Sequence, residues 1–523
     1  MKKITLFVAA VAVLASCNRE DALATQGGGS AGNAVNMNVK NYEKSELVNM
    51  ITPMSQSFGF NGKAAATQVN YTYRGWAEPV QLDLGVSGMT GTSAGMADAL
   101  KYVNLSASAA WTVNDMVFVS WHARNEAAGQ NSTSFNINSP GPLVGGCITA
   151  YKQIGIGQYE FMDRVDFFDA DYHELYGDVN AGSGNYEIMM AGQRAQATSG
   201  YVLNGHNGAV ITRIDYDYIN DEFWEDSFRE LPLTGTSAND VVGAARRFYV
   251  TTGGSGGIDQ EGDIFEFDRN MNNINKMVTL GTHSGRSIAI DNKTKTGPGL
   301  EVDDLVVVST LASAVNVYSE VVTYAGGTTN FGAGGATVAY TSTNAHNLLE
   351  RADITIASSD DNPFTSALDP IVMSAARTFV TLNYENSGGA ASSSLFHLGA
   401  GAGALTEVPN VGNAISTEYD AGLDVLYVAM GGNGGAPGPG KAIKVLALSE
   451  FATQSVLVNE YDVVGEFADP NLVAVPVSFF ISGGAVVFSP AITDVKEVTV
   501  FGSRNIALAA GSQGVFFIQR DKY

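Results

Sequence analysis

The chain has 523 residues, of which 45% are hydrophobic, only 16% are charged and 59 are glycine, against roughly 25% charged residues in an average soluble domain. That mixture excludes a disordered chain, which needs high charge and few hydrophobics, and suits many short strands joined by tight turns. A formal charge of −24 sets the average surface against a phosphate backbone, so no nucleic-acid partner is expected.

Lys2 and Lys3 open the chain, Ile4 to Leu14 is an apolar run, and Leu14-Ala15-Ser16-Cys17 closes it. A charged start, a short apolar core and small residues describe a secretory signal, and the run is too short to cross a ~30 Å hydrocarbon core. The segment resembles the lipobox of bacterial lipoproteins, which implies that residues 1–16 are a signal peptide removed by signal peptidase II and that the Cys17 thiol carries a diacylglycerol. Asn18-Arg19-Glu20-Asp21 follows, with no Asp directly after Cys17. A basic residue followed by two acidic ones resembles the export signal of surface lipoproteins in the Bacteroidota. Together these resemblances imply a lipid-anchored outer-membrane protein at the cell surface, or otherwise on the periplasmic face. Residues 17–40 are small, polar and Gly-rich and read as a flexible tether.

Residues 41–67 read as a short helix and linker, with Glu43, Leu47 and Met50 at helical spacing until Pro53 ends the pattern. Strand-like alternation begins at Gln68 to Leu84, where Pro79 is tolerated only on an edge or at a bulge. From there one unit recurs: an apolar strand, a Gly-rich turn and a second apolar strand. It is read at MVFVSW (Met116 to Trp121) with CITAY (Cys147 to Tyr151), at Tyr186 to Tyr216, and at FYVTT (Phe248 to Thr252) with IFEFD (Ile264 to Asp268). Further copies lie at Leu305 to Tyr318, Phe379 to Leu398, Leu426 to Leu448 and Arg504 to Gln519. Their centres, Phe118 to Ala507, are spaced by about 65 residues on average, enough for four-stranded units of ~40–50 residues with insertions.

Such hairpins are too short to stand alone, and a linear stack leaves apolar edges open to aggregation. The expected architecture for residues 68–523 is therefore all-β: a β-propeller of seven blades, closed by pairing of N- and C-terminal strands. The pattern is similar to the repeats of LVIVD-type propeller lipoproteins, in which a Gly precedes the second strand as Gly514 precedes Val515. Closure assigns Val69 to Leu84 to the sheet of the last hairpin.

Local signals for chemistry are sparse. The six histidines, His122, His173, His206, His283, His346 and His397, are never closer than 33 positions, so no local zinc motif exists. A ring still gathers distant residues at its axis, and His206, His283 and Arg286 are the candidates there. Asp215, Asp217 and Asp221 begin with the DxD spacing of a calcium loop, yet Asn220 stands where that loop needs Gly. Calcium is thus the one cofactor to test, and a solvated charged loop is the better account of this run and of Asp163 to Asp171. Ser93 in GTSAG matches a nucleophile elbow only by letters. Cys147, the single cysteine after Cys17, reads as a small buried hydrophobe. The four tryptophans read as fillers between blades.

These readings lead to a lipid-anchored propeller that binds a protein or polysaccharide partner. Two alternatives stay open: a lactonase-like or polysaccharide-cleaving propeller enzyme with an axial metal, and a structural envelope protein.

Overall fold

The computed structural model describes strands between residues 39 and 520. Side chains are described chiefly within 72–80, 105–121, 146–167, 170–193, 209–253, 262–271 and 497–520. All the described strands lie in the unit of residues 37–523, and among the described residues there is no helix.

Each expected hairpin is present as an antiparallel pair, and each forms the middle of a sheet. Sheet I runs Tyr102–Val113, Met116–Ala123, Gly146–Gly155 and Gln158–Phe167. Sheet II runs Ala170–Val179, Tyr186–Ala195, His206–Asp217 and Glu222–Pro232. Sheet III runs Ser237–Ala244, Arg247–Gly253, Asp263–Asp268 and Ile274–Thr279. Sheet IV runs Ser284–Asp291, Asp304–Ala312, Val317–Ala325 and Thr341–Arg351. Sheet V runs Leu368–Ser374, Arg377–Glu385, Ala391–Gly399 and Leu405–Gly412. Sheet VI runs Ala414–Asp420, Val425–Met430, Ile443–Ala447 and Glu460–Asp462. Sheet VII takes Glu497–Phe501, Asn505–Ala509 and Val515–Arg520 from the end of the chain, and Tyr71–Ala77 from its beginning.

The first strand of each sheet lies beside the first strand of the next, from I through VII, and that of VII lies beside that of I. Among the described residues, apolar cores fill three of the spaces between consecutive sheets. Trp121, Tyr151, Tyr159 and Phe517 pack between VII and I, Phe118, Phe167, Tyr216 and Phe223 between I and II, and Met189, Phe248 and Phe267 between II and III. Sheets that are apolar on both faces need a neighbour on each side, and this arrangement supplies two.

In sheet VII, Val515 pairs Ala77 and Phe516 pairs Trp76. The Trp76 ring stacks on Phe516, and its indole N–H donates to the Gln513 carbonyl at 2.7 Å. Burying an aromatic ring of this size contributes about 4–6 kcal/mol as an upper bound. Pro79 falls between Tyr71–Ala77 and Gln81–Asp83, outside both ladders.

Two segments differ from expectation. Ile51–Pro53, placed by periodicity in a short helix, is an edge strand that pairs Ile51 with Ala77 and Pro53 with Gly75; at an edge the missing proline N–H costs no ladder bond. Val39–Asn41, assigned to the tether and linker, already pairs with Val165 to Phe167 on the outside of sheet I. Cys17, Ser93, His283 and the lipobox lie outside the described residues.

The sheet ends are unequal. At one end the connections are short, including Asn114-Asp115, Ile156-Gly157 and Tyr218 to Asp221. At the other end, residues 124–145, 196–205 and 431–442 join the second strand to the third. In sheets I, II and VI the long second-to-third connections therefore leave from one edge, whereas in sheet IV residues 292–303 and 326–340 lengthen the connections at the opposite edge.

Candidate functional site at the bulged inner strands

The first strands carry a recurrent irregularity. In sheet I, Ala107 pairs Trp121 and Ala109 pairs Ser120, which leaves Ser108 as an extra residue. His173 is extra in sheet II, Asn239 in sheet III, Arg286 in sheet IV and Ile415 in sheet VI. Each bulge stands five or six residues before the strand's last paired residue: Ser108 before Val113, His173 before Val179, Asn239 before Ala244, Arg286 before Asp291 and Ile415 before Asp420. In sheet V the bulge is Met373, close to the turn, and the Glu497–Phe501 ladder of sheet VII is regular. A bulge adds twist and re-aims the strand, and bulges recur beside functional sites.

Part of the pattern stitches sheets together. Ser108 Oγ donates to the Tyr172 carbonyl at 3.4 Å and Ser120 Oγ to the same carbonyl at 2.5 Å. Asn239 Nδ2 donates to the Gly285 carbonyl at 2.5 Å, and Asp240 Oδ2 accepts the Ile288 N–H at 2.7 Å. The carbonyls just before the bulges of II and IV are thus satisfied by the bulge residues of I and III.

Near the bulges, stitching leaves four buried side chains without a partner; the Tyr216 hydroxyl, at the tight-turn end, is another such group among the described residues. Ser106 Oγ, both amide atoms of Gln193, Thr251 Oγ1 and Ser287 Oγ are buried with no hydrogen-bond partner. All four lie at the bulges. Ser106 is two residues before Ser108, Gln193 pairs Asp171, Thr251 pairs Asp240, and Ser287 adjoins Arg286. Leaving such a group unpaired costs about 1–3 kcal/mol, so ordered water or a ligand is needed to satisfy them. Three hydroxyls and a carboxamide both donate and accept, which suits exchange with a hydroxyl-rich ligand.

The acidic candidates do not converge. Asp215 is buried and bonded to Arg213, with Nε–Oδ1 at 2.7 Å and Nη2–Oδ2 at 2.8 Å. Asp217 caps its own turn, accepting from the Ile219 N–H at 2.9 Å and from Asn220 Nδ2 at 2.6 Å. Asp221 pairs with Lys152 at 2.8 Å. The three carboxylates therefore face three different sets of partners, and among the described residues no three His, Cys, Asp or Glu side chains are grouped to hold a metal.

The solvated-loop reading is corrected for Asp163 to Asp166 and for Asp215, which lie buried on strands, whereas Tyr218 to Asp221 is an exposed turn as read. Asp163, Arg164 and Asp166 lie buried on the last strand of sheet I, with Arg164 Nε 2.5 Å from Asp166, and Asp163 Oδ2 accepts the Phe223 N–H from sheet II at 2.6 Å. Arg213 also reaches Glu187 at 3.0 Å and donates to the Arg269 carbonyl. Burial pushes the Glu187 carboxyl above the usual carboxylate range. For Arg213, burial is outweighed by the bonds and charge of Asp215, so its proton is held more tightly than in water.

His206 begins its strand opposite Ala195, away from the inner strands, while Arg286 occupies a bulge. Cys147 is buried and its thiol is pushed up by burial. Trp76 and Trp121 are buried fillers, whereas Trp224 is exposed. Ser108, His173, Asn239 and Gln193 carried no sequence signal of their own, because a bulge is a property of two strands in register.

No family model matches the chain, and no curated protein does. Among solved structures it is similar to the polysaccharide lyase Uly1, 10% identical over 79% of this chain and 89% of that one with a TM-score of 0.38. It is also similar to the gluconolactonase XC5397 from Xanthomonas campestris, 13% identical over 73% and 96% with a TM-score of 0.29. A third likeness is to the six-bladed β-propeller lectin of Aleuria aurantia, 10% identical over 69% and 96% with a TM-score of 0.29.

Proposed function

We propose that the chain is a seven-bladed β-propeller, anchored to the outer membrane through lipid on Cys17, that binds a polysaccharide at the bulged end of its inner strands. Support for the ring comes from the cyclic succession of first strands and the sheet shared by both chain ends. The observation that carries the binding role is the band of buried, unpartnered polar groups, Ser106, Gln193, Thr251 and Ser287, beside the bulges. Neutral hydroxyl and amide groups favour a hydroxyl-rich glycan over a protein surface.

The test is a panel of purified polysaccharides and oligosaccharides presented to the soluble protein lacking residues 1–26. Binding by at least one glycan, weakened about tenfold by Thr251→Val, corresponds to losing one hydrogen bond of about 1.4 kcal/mol. Capture of envelope proteins alone, or binding indifferent to Thr251, overturns it. Lipidation is tested separately by incorporation of labelled fatty acid, which Cys17→Ser should abolish.

A second reading is favoured by the placement of His173 and Arg286 at equivalent bulges: a polysaccharide-cleaving or lactonase-like enzyme. Turnover of a bound glycan or a lactone by wild type, lost in His173→Ala with binding retained, distinguishes it from pure binding.

A further inference from the structure

We propose that the tight-turn ends of sheets I and II form a docking surface for a basic protein segment bearing apolar side chains. The surface lies at the end of the sheets opposite the long connections and is independent of the bulge site.

Among the described residues, the exposed large hydrophobics are Ile154, Ile156, Val179, Tyr218, Ile219 and Trp224, with Ile156 85% and Ile219 82% exposed. Isolated exposed hydrophobics scatter over any surface. These six do not scatter. Ile154 and Ile156 sit at the hairpin end between Gly146–Gly155 and Gln158–Phe167, Tyr218 and Ile219 form the turn before Glu222–Pro232, Trp224 follows two residues later, and Val179 ends the first strand of sheet II.

The two principal turns are fastened to each other. Lys152 Nζ reaches Asp221 at 2.8 Å and lies 4.7 Å from the centre of the Tyr218 ring. The Asp217 carboxylate accepts the Ile219 and Asn220 N–H groups at 2.9 and 3.3 Å, which holds Ile219 outward without help from a partner. A surface presented this way loses little conformational freedom on binding.

Charge selects the occupant. Asp115, Glu160, Asp217, Glu222 and Asp226 lie in or next to these turns and the strands they join, against four cations: Lys152 engaged by Asp221, Arg74 packed against Gly157 and bonded to Gln519, Arg269 paired with Asp178 and Glu187, and Arg229 further along its strand, so acid is in excess. An acidic rim around isoleucine, tyrosine and tryptophan complements a positively charged partner. It opposes anionic lipid and a second copy of a chain whose formal charge is −24.

The experiment uses the full chain as Cys17→Ser, with a synthetic peptide of alternating lysine and leucine as the probe. Its glutamate–leucine counterpart, vesicles of phosphatidylcholine or phosphatidylglycerol, and sedimentation of the protein alone serve as controls. The lysine–leucine peptide should bind, and I156S/I219S should weaken it at least about tenfold, because both isoleucines lose the apolar area they would bury against the peptide. Both residues are exposed, so the thermal midpoint should be unchanged. If the double variant fails to fold, Glu160→Gln with Asp226→Asn keeps the apolar residues and should weaken binding several-fold while flattening its salt dependence. Peptide binding indifferent to both variants, preference for the glutamate peptide, or isoleucine-dependent binding of vesicles or of a second copy overturns the proposal.

Discussion

At Gly514 the backbone adopts φ +91°, and a Cβ there would lie 2.2 Å from the Ala77 carbonyl oxygen. Gly184 has φ +80° but open space around it. Both positions disfavour a side chain conformationally, by about 1–2 kcal/mol, but only Gly514 adds a clash with the strand that joins the two chain ends. Gly514→Ala should therefore lower the thermal midpoint well beyond Gly184→Ala, and equal shifts would mean that the Val515–Ala77 pairing is not formed. A second residue-scale effect concerns Glu187, whose carboxyl is raised by burial. The folded protein then binds more protons than the unfolded one just above the ordinary glutamate range, so stability falls as pH rises through that window. Arg213→Met removes a cation bonded to Glu187 and Asp215, leaving two buried carboxylates poorly compensated at a cost of about 3–5 kcal/mol. It should also extend the pH-dependent fall to higher pH, read from urea midpoints, whereas Glu187→Gln should remove the Glu187 contribution to that fall.

Elements were unequally legible, for physical reasons. The middle hairpins of sheets I, II, III and VII are buried on both faces among the described residues, so MVFVSW, or VFFIQ after Gly514, stands out as an apolar run. The first strands are harder to read: YVNLSASAAWTV mixes alanine and serine, and a bulge breaks the period of two on which strand recognition relies. The buried ion pairs were misread because a run such as Asp163-Arg164-Val165-Asp166 has the composition of a solvated loop; only the packing of sheet I against sheet II reveals that these charges face partners. The bulge site was hidden for the same reason, since Gln193, Thr251 and Ser287 become conspicuous only as buried groups without partners. Gln193→Leu tests that point. Removing an unpaired buried amide should raise the stability of ligand-free protein by about 1–3 kcal/mol and abolish glycan binding. A loss of stability instead would mean that ordered water already satisfies the amide and that the position serves the fold.

For the whole molecule, the decisive question is whether the sheets form a ring or a row. Removing residues 504–523 takes Asn505–Ala509 and Val515–Arg520 out of sheet VII, leaves Tyr71–Ala77 without its partner there, and opens the core in which Phe517 meets Tyr151 and Tyr159. In a row each sheet contacts only its neighbours, so the damage stays local and distant sheets keep their stability. In a ring every sheet has two neighbours, and opening one joint deprives both flanking sheets of a packed face. The truncated chain should consequently show a large fall in thermal midpoint, and amide exchange should accelerate in sheet III at Ile264 to Phe267, strands that touch nothing in sheet VII. Exchange at Ile264 to Phe267 that stays as slow as in the intact chain, alongside loss of protection at Trp121 and Tyr151, would identify a row. Because the pairing of Tyr71–Ala77 with Val515–Arg520 is the joint between the chain ends, supplying residues 504–523 as a separate peptide should restore protection in sheet III if the ring is real.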